Sequence, residues 1–352
     1  MTDHGMVIPQ VPFAAWQTLH DAAARFMALK PWTDMYDTDY LGITDPQTGQ
    51  LHVGMVMGNL GQFHAFAMYR EREGIEFCRT VQNLDDEWAA RPDNALRQNV
   101  IMGEFTTKKE LDETDLAVLA GIVWKGPKRG AQSHVRCRNS RPNLFPWYLD
   151  AEEVRILTLG FDLMTDYCEY RRGGNLVLEA DEKHLPSVRM DGSAPKYYLR
   201  EWPVQAPLPD EPDGSAAFME RATRLKKQIS KSHGSWELGN WPICMPTHSA
   251  TRPYFPEMVL AADEVSHCIL ATKLANPFSD QPGNVLATVL LDGIEKSGCK
   301  PEEVQVFPSR HNATLKSLCA LLGFPLVERD ELPTFEEAYR DFDEHIQHVK
   351  PC

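Results

Sequence analysis

The sequence predicts an α+β protein: an antiparallel sheet with covering helices in an N-terminal module, and a smaller ββαβαβα module at the C-terminus. Three observations carry that expectation. Apolar residues recur at helical spacing from Trp16 to Met27 and then switch to alternation between Leu51 and Tyr69. Prolines crowd at Pro203, Pro207, Pro209 and Pro212, and proline fixes the backbone and removes donors, so that stretch reads as a stiff connector. Beyond it, strand-like runs alternate with helical ones. The modules are therefore residues 1–202 and 215–352, joined by a connector over 203–214.

The first helix carries Trp16, Leu19, Ala23, Phe26 and Met27 on one stripe and stops before Pro31. Tyr40 to Met57 reads as a β-hairpin around the turn Asp45-Pro46-Gln47-Thr48-Gly49, with Leu51, Val53, Met55 and Met57 alternating as a half-buried strand should. A third strand runs from Phe63 to Tyr69, and a short helix over Gly74 to Val81 covers the sheet. Helical segments are predicted over Asn94 to Val100 and Glu113 to Gly121, and a strand at Val135 to Cys137. Asp150 caps a long helix with Glu153 placed to answer it. Leu176 to Leu178 and Tyr197 to Leu199 read as late strands.

In the second module a basic helix spans Ala216 to Ile229. Met258 to Ala261 and Cys268 to Leu274 make a hairpin about Asp263-Glu264. Pro282 opens a helix that Gly298 stops, Val304 to Phe307 is a strand, and a second helix ends at Gly323. Leu326-Val327 is a short strand, and Thr334 with Glu337 makes a capping box for the last helix.

Charge narrows the function. The 352 residues hold 36 Lys and Arg against 50 Asp and Glu, a formal net charge of -14. Such a chain repels phosphate backbones at long range, so a nucleic-acid partner, which the sequence leaves open, needs a local basic patch. The longest apolar run falls short of the roughly 18 residues a membrane span requires, and no membrane partner is expected. Eight cysteines without a C-x-x-C pair, behind an N-terminus with no secretory pattern, fit free thiols in a cytoplasmic protein. No P-loop, Rossmann or nucleophile-elbow motif occurs, and no cofactor is expected.

One stretch breaks the acidic pattern. From Leu116 to Leu149 there is no Asp or Glu, yet Lys125, Lys128, Arg129, Arg136, Arg138 and Arg141 fall inside it, with Trp147 close by. Guanidinium forks match carboxylate and phosphate, and indoles stack on flat ligands. Arg136, Arg138, Arg141 and Trp147 are thus the candidates for holding an anionic partner; the competing reading pairs these arginines with acids elsewhere in the chain. A second basic run, Arg221, Arg224, Lys226, Lys227 and Lys231, reads as a solvated helix face. The last helix is acidic (Glu336, Glu337, Asp341, Asp343, Glu344), a surface for a protein partner, and His345 and His348 could share one face.

In the second module Asp263 follows a first strand, and a hairpin and alternating helices and strands come after it. In topology this resembles the ribonuclease-H-like nucleases. It implies an alternative function, metal-dependent hydrolysis of nucleic acid with Asp263 as a metal ligand. Pro308-Ser309 stands where that fold usually supplies its second acid. Pro31-Trp32, Gly42 to Gly49, Val56 to Gly61, Ala67-Met68-Tyr69, Arg141-Pro142 and Pro146 to Leu149 together resemble a family of uncharacterised bacterial cytosolic proteins, whose C-terminal half is similar to a domain of unknown function. That resemblance implies a bacterial source and an intracellular setting, and it brings no catalytic residue. The leading expectation is a non-enzymatic binding or regulatory protein for an anionic partner.

Overall fold

The computed structural model describes residues 9–61, 63–82, 96–130, 132–175, 178, 181, 183–203, 216–247, 249 and 251–348. They form two compact units: residues 1–205 with Ser249–Arg252, and residues 206–248 with 253–352. Each has its own sheet and helices on both faces of it. The fold is α+β, with the larger sheet in the first unit.

The first unit opens with α1 (Phe13–Leu29) and a hairpin of β1 (Tyr40–Thr44) and β2 (Leu51–Met57). The turn between them is made by Asp45, whose carboxylate accepts from Gln47 N (3.0 Å) and Thr48 Oγ1 (2.8 Å). β3 (His64–Tyr69) and α2 (Glu71–Gln82) follow. Then come β4 (Val100–Thr106), α3 (Glu113–Ala120), β5 (His134–Arg141) and β6 (Leu144–Trp147). The unit ends with α4 (Ala151–Arg172), β7 (His184–Asp191) and β8 (Ala194–Glu201). The strands lie in the order β6-β5-β4-β3-β2-β1-β7-β8. All neighbours are antiparallel except β1 and β7.

Two cores flank this sheet. On one face Phe66, Ile101 and Phe105 meet Phe26 of α1 and Phe161 of α4. On the other, Val53, Met55, Ala67 and Tyr69 meet Ile75 and Cys78 of α2. β2 is therefore buried on both faces, not half-buried as its alternation predicts: Val56 and His52, on opposite faces from Val53 and Met55, are covered too. α4 begins as expected, with Glu153 N donating to Asp150 Oδ1 (2.9 Å) and Asp150 N to Glu153 Oε2 (3.1 Å).

The predicted helix at Asn94–Val100 gives way to strand. Residues 96–97 make a short turn and Val100 opens β4; Asn94 lies outside the described residues. Leu176 and Val177, read as a strand, also lie outside them, as does nearly all of the proline-rich connector.

The second unit holds α5 (Ala216–Gln228), β9 (Ser235–Pro242), β10 (Glu257–Asp263), β11 (Ile269–Ala275) and α6 (Pro282–Ser297). β12 (Glu303–Val306), α7 (Ala313–Leu322), β13 (Leu326–Glu328) and α8 (Pro333–His348) complete it. Its sheet runs β11-β10-β9-β12-β13, antiparallel on the hairpin side of β9 and parallel beyond it. The sequence pattern lacks β9, because Gly239, Asn240 and Pro242 interrupt its apolar alternation. β9 is nonetheless the central strand, with Trp236 and Leu238 in the core. The last helix also starts differently. Phe335 N donates to Glu237 Oε2 of β9 (2.7 Å), so the buried Glu237 takes an orphan amide of the helix start, and Glu337 instead meets His267 Nδ1 (2.7 Å).

Among the described residues, no helix is long and apolar enough to cross a membrane.

Candidate functional site

The acid-free stretch leaves α3, crosses a loop and runs up β5 into β6, and its cations divide into two sets with different surroundings. On β5, Arg136 stands directly across from Glu104 of β4, and its Nε lies 3.0 Å from Glu104 Oε2. Arg138, two residues on and so on the same face, is held between Asp112 Oδ2 (2.7 Å) and Asp115 Oδ1 (2.8 Å). Its guanidinium also lies over the Tyr148 ring, 4.7 Å from the centroid. Burial pushes the Asp112 carboxyl up, but the Asp115 N–H, the Tyr148 hydroxyl and Arg138 outweigh it and leave the group below its ordinary range.

Arg141 faces elsewhere and reaches Glu153 Oε1 (3.2 Å). Glu153, which is buried, also accepts from Asn139 Nδ2 (2.7 Å) and pairs with the buried Arg70 (2.9 Å). Arg252, part of the same unit, donates to Asn139 Oδ1 (3.0 Å), Asn139 O (2.8 Å) and Phe145 O (2.6 Å). Burial first, and then the like charge of Arg141, lower its pKa to about 10. Trp147 sits half-buried on β6, edge-on to Tyr148 with centroids 5.1 Å apart.

Arg136 and Arg138 thus lie on one face of β5 and Arg141 turns to the other, and each already holds a carboxylate of its own unit. The acids concerned, Glu104, Asp112, Asp115 and Glu153, all lie outside the acid-free interval. A count along the chain cannot see them; strand pairing and the neighbouring helices bring them in.

The loop cations stand differently. Lys125 and Arg129, with Gly126, Pro127, Gly130 and Gln132, form one wall of an open hollow of about 550 Å³. Met27, Lys30 and Trp32, at and just beyond the C-terminal end of α1, form the opposite wall. No carboxylate lies among its described lining residues. Lys125 Nζ pairs with Asp21 at 2.7 Å, whereas Lys30 and Arg129 are exposed and have no ion-pair partner among the described residues. The Lys30 backbone N–H takes up the Phe26 and Met27 carbonyls at 3.2 Å each, so the helix end does not turn those oxygens on the hollow. Trp32 is held in place by the His64 ring, centroids 4.5 Å apart.

The second unit offers less. Asp263 ends β10, the second strand and not the first, and its Oδ1 accepts from Ser266 N and Ser266 Oγ at 2.7 Å each, closing the β10–β11 turn. Among the described residues, no group of three or more His, Cys, Asp or Glu is placed to hold a metal ion. Arg221 and Arg224 meet Glu295, and Arg221 also meets Asp292 (2.7 Å), so the two arginines of the run are paired while Lys226, Lys227 and Lys231 are exposed. The His345 and His348 side chains lie outside the described residues.

Two distinct domains of unknown function match the chain: DUF7309 over residues 16–187 and DUF6930 over residues 221–343. No curated protein matches it.

Proposed function

We propose that this is a non-enzymatic cytoplasmic binding protein that takes an anionic ligand in the hollow ringed by Lys30, Lys125 and Arg129. The observation that supports the reading is convergence: cations from two separate chain segments line one concavity that contains Trp32 and no carboxylate among its described lining. A concave wall focuses the field of its charges and raises the local concentration of counter-ions. The hollow lies within the roughly 300–1,000 Å³ typical of small-molecule sites. Arg129 offers a planar fork and Lys30 a mobile point charge, while the small edges that the otherwise buried Met27 and Trp32 turn to the hollow give it an apolar floor.

A cytoplasmic setting is in keeping with the thiols. Cys78, Cys137, Cys168 and Cys319 are buried and free, and burial pushes Cys137, Cys168 and Cys319 up to about 12, so they pack as small hydrophobes.

Calorimetric titration with 1-naphthyl phosphate tests the binding. The double variant Lys30→Glu/Arg129→Glu is expected to bind at least about tenfold more weakly with an unchanged melting temperature, since both side chains are exposed and have no ion-pair partner among the described residues. Affinity should also fall as salt rises. Undiminished binding in that variant counts against the proposal.

A further inference from the structure

A second, smaller cavity of about 170 Å³ lies elsewhere in the first unit. Phe13, Trp16 and His20 of α1 form one wall, Val118 of α3 another, and Val135 of β5 and Tyr148 line it as well, with one side open to solvent. None of these residues lines the cationic hollow.

His20 gives this cavity a polar handle. The side chain is largely buried, the residue being 6% exposed. Its Nδ1 lies 2.8 Å from Trp16 O. A carbonyl oxygen only accepts, so Nδ1 carries the hydrogen and Nε2 is left with a lone pair. Nε2 has no hydrogen-bond partner among the described residues, and the ring lines the cavity. Burial lowers the His20 pKa although Trp16 O, Asp115 and Asp21 oppose it, which keeps the ring an acceptor at neutral pH. Trp16 and Trp124 stand edge-on to the imidazole at 6.1 and 5.9 Å and fix its plane.

The charge and size of the cavity restrict what can enter. The carboxylate in its wall, Asp115, gives both oxygens to Arg138. A charged guest therefore finds no free counter-charge there and would give up part of its hydration. An enclosed apolar cavity of about 150 Å³ holds one benzene ring; this one is of similar volume, is open to solvent on one side and has polar as well as apolar walls.

We propose that the cavity binds a neutral single-ring aromatic molecule carrying one hydroxyl, of the phenol class. The ring lies among Phe13, Trp16, Val118 and Val135, and its O–H donates to His20 Nε2. The hydroxyl replaces a hydrogen bond that the protein otherwise leaves unmade or gives to water.

Titration of the full-length protein with phenol and with toluene, followed by amide and indole shifts in ¹H–¹⁵N spectra, tests this. Phenol is expected to bind saturably, shifting the Trp16 indole and the His20 amide, and at least about tenfold more tightly than toluene. His20→Phe should weaken phenol about tenfold and leave toluene nearly unaffected. Val118→Phe, which fills the cavity from its rim, should abolish both; it keeps the test decisive if His20→Phe fails to fold. No saturable phenol binding overturns the proposal, as does phenol binding that neither variant alters. Equal affinity for phenol and toluene would show an apolar hole only and would overturn the role of His20. None of these outcomes depends on the cationic hollow, whose residues are untouched.

Discussion

His52 illustrates how a single buried group sets a pH limit. Both of its ring nitrogens are buried and have no hydrogen-bond partner among the described residues. Burial is the main cause that brings its pKa from 6.5 down to about 4, with Arg70 and Arg155 adding to it against Asp45. The unfolded chain takes up the proton first, so the contribution of His52 to stability is complete above about pH 6.5 and is lost as pH falls from there to about 4. At about 1.4 kcal/mol per pKa unit the whole loss is about 3 kcal/mol. His52→Leu should flatten that part of the pH profile; urea unfolding at about pH 7 and about pH 4 checks it, and parallel profiles for variant and wild type would contradict it. Glu153 is the matching case among acids. As a helix cap it was legible from Asp150 three residues before it. Its second role, as the carboxylate shared by Arg70, Arg141 and Asn139, was not, because those partners come from β5 and from the link between β3 and α2. Glu153→Ala leaves the buried Arg70 uncompensated and should cost about 3–5 kcal/mol in a denaturant titration.

At the scale of elements, the helices and hairpin turns were the legible part. α1, α4, α6 and α7 carry their own signals: stripes at helical spacing, the Asp150 cap, and Gly298 and Gly323 at φ 66° and 91°. The strands missed were β4, β6, β7 and β9. Pro146 lies in β6 and Pro186 in β7, which masks them, though β6 is an edge strand where proline is tolerated. β5 was seen only at Val135 to Cys137, since the arginines that extend it look like loop until their partners are known. Gly74 marks a close approach: a Cβ there would come within 2.4 Å of the Asn99 carbonyl oxygen, a backbone atom that cannot swing aside. Gly74→Ala should therefore push α2 from the strand ends and cost about 1–3 kcal/mol, seen as faster hydrogen exchange in α2; unchanged protection would contradict it.

For the whole molecule, two units were legible from the proline cluster, but the reach of the first one was not. Ser249–Arg252 belongs to it although it lies within the second half of the sequence, and no local pattern announces a single arginine that satisfies Asn139 and Phe145. Arg252→Ala should lower the protection of β5 and β6 amides by about 1–3 kcal/mol. The proposed function rests on the same long-range pairing. Arg136, Arg138 and Arg141 tie β5 to Glu104, Asp112, Asp115 and Glu153, which leaves the exposed Lys30 and Arg129 as the cations of the proposed ligand site. The most direct test follows the arginine Nε–H signals in ¹H–¹⁵N spectra during titration with 1-naphthyl phosphate. Arg129 and the Trp32 indole are expected to shift and saturate together while Arg136 and Arg138 stay in place; movement of the β5 arginines with Arg129 unmoved would contradict the account.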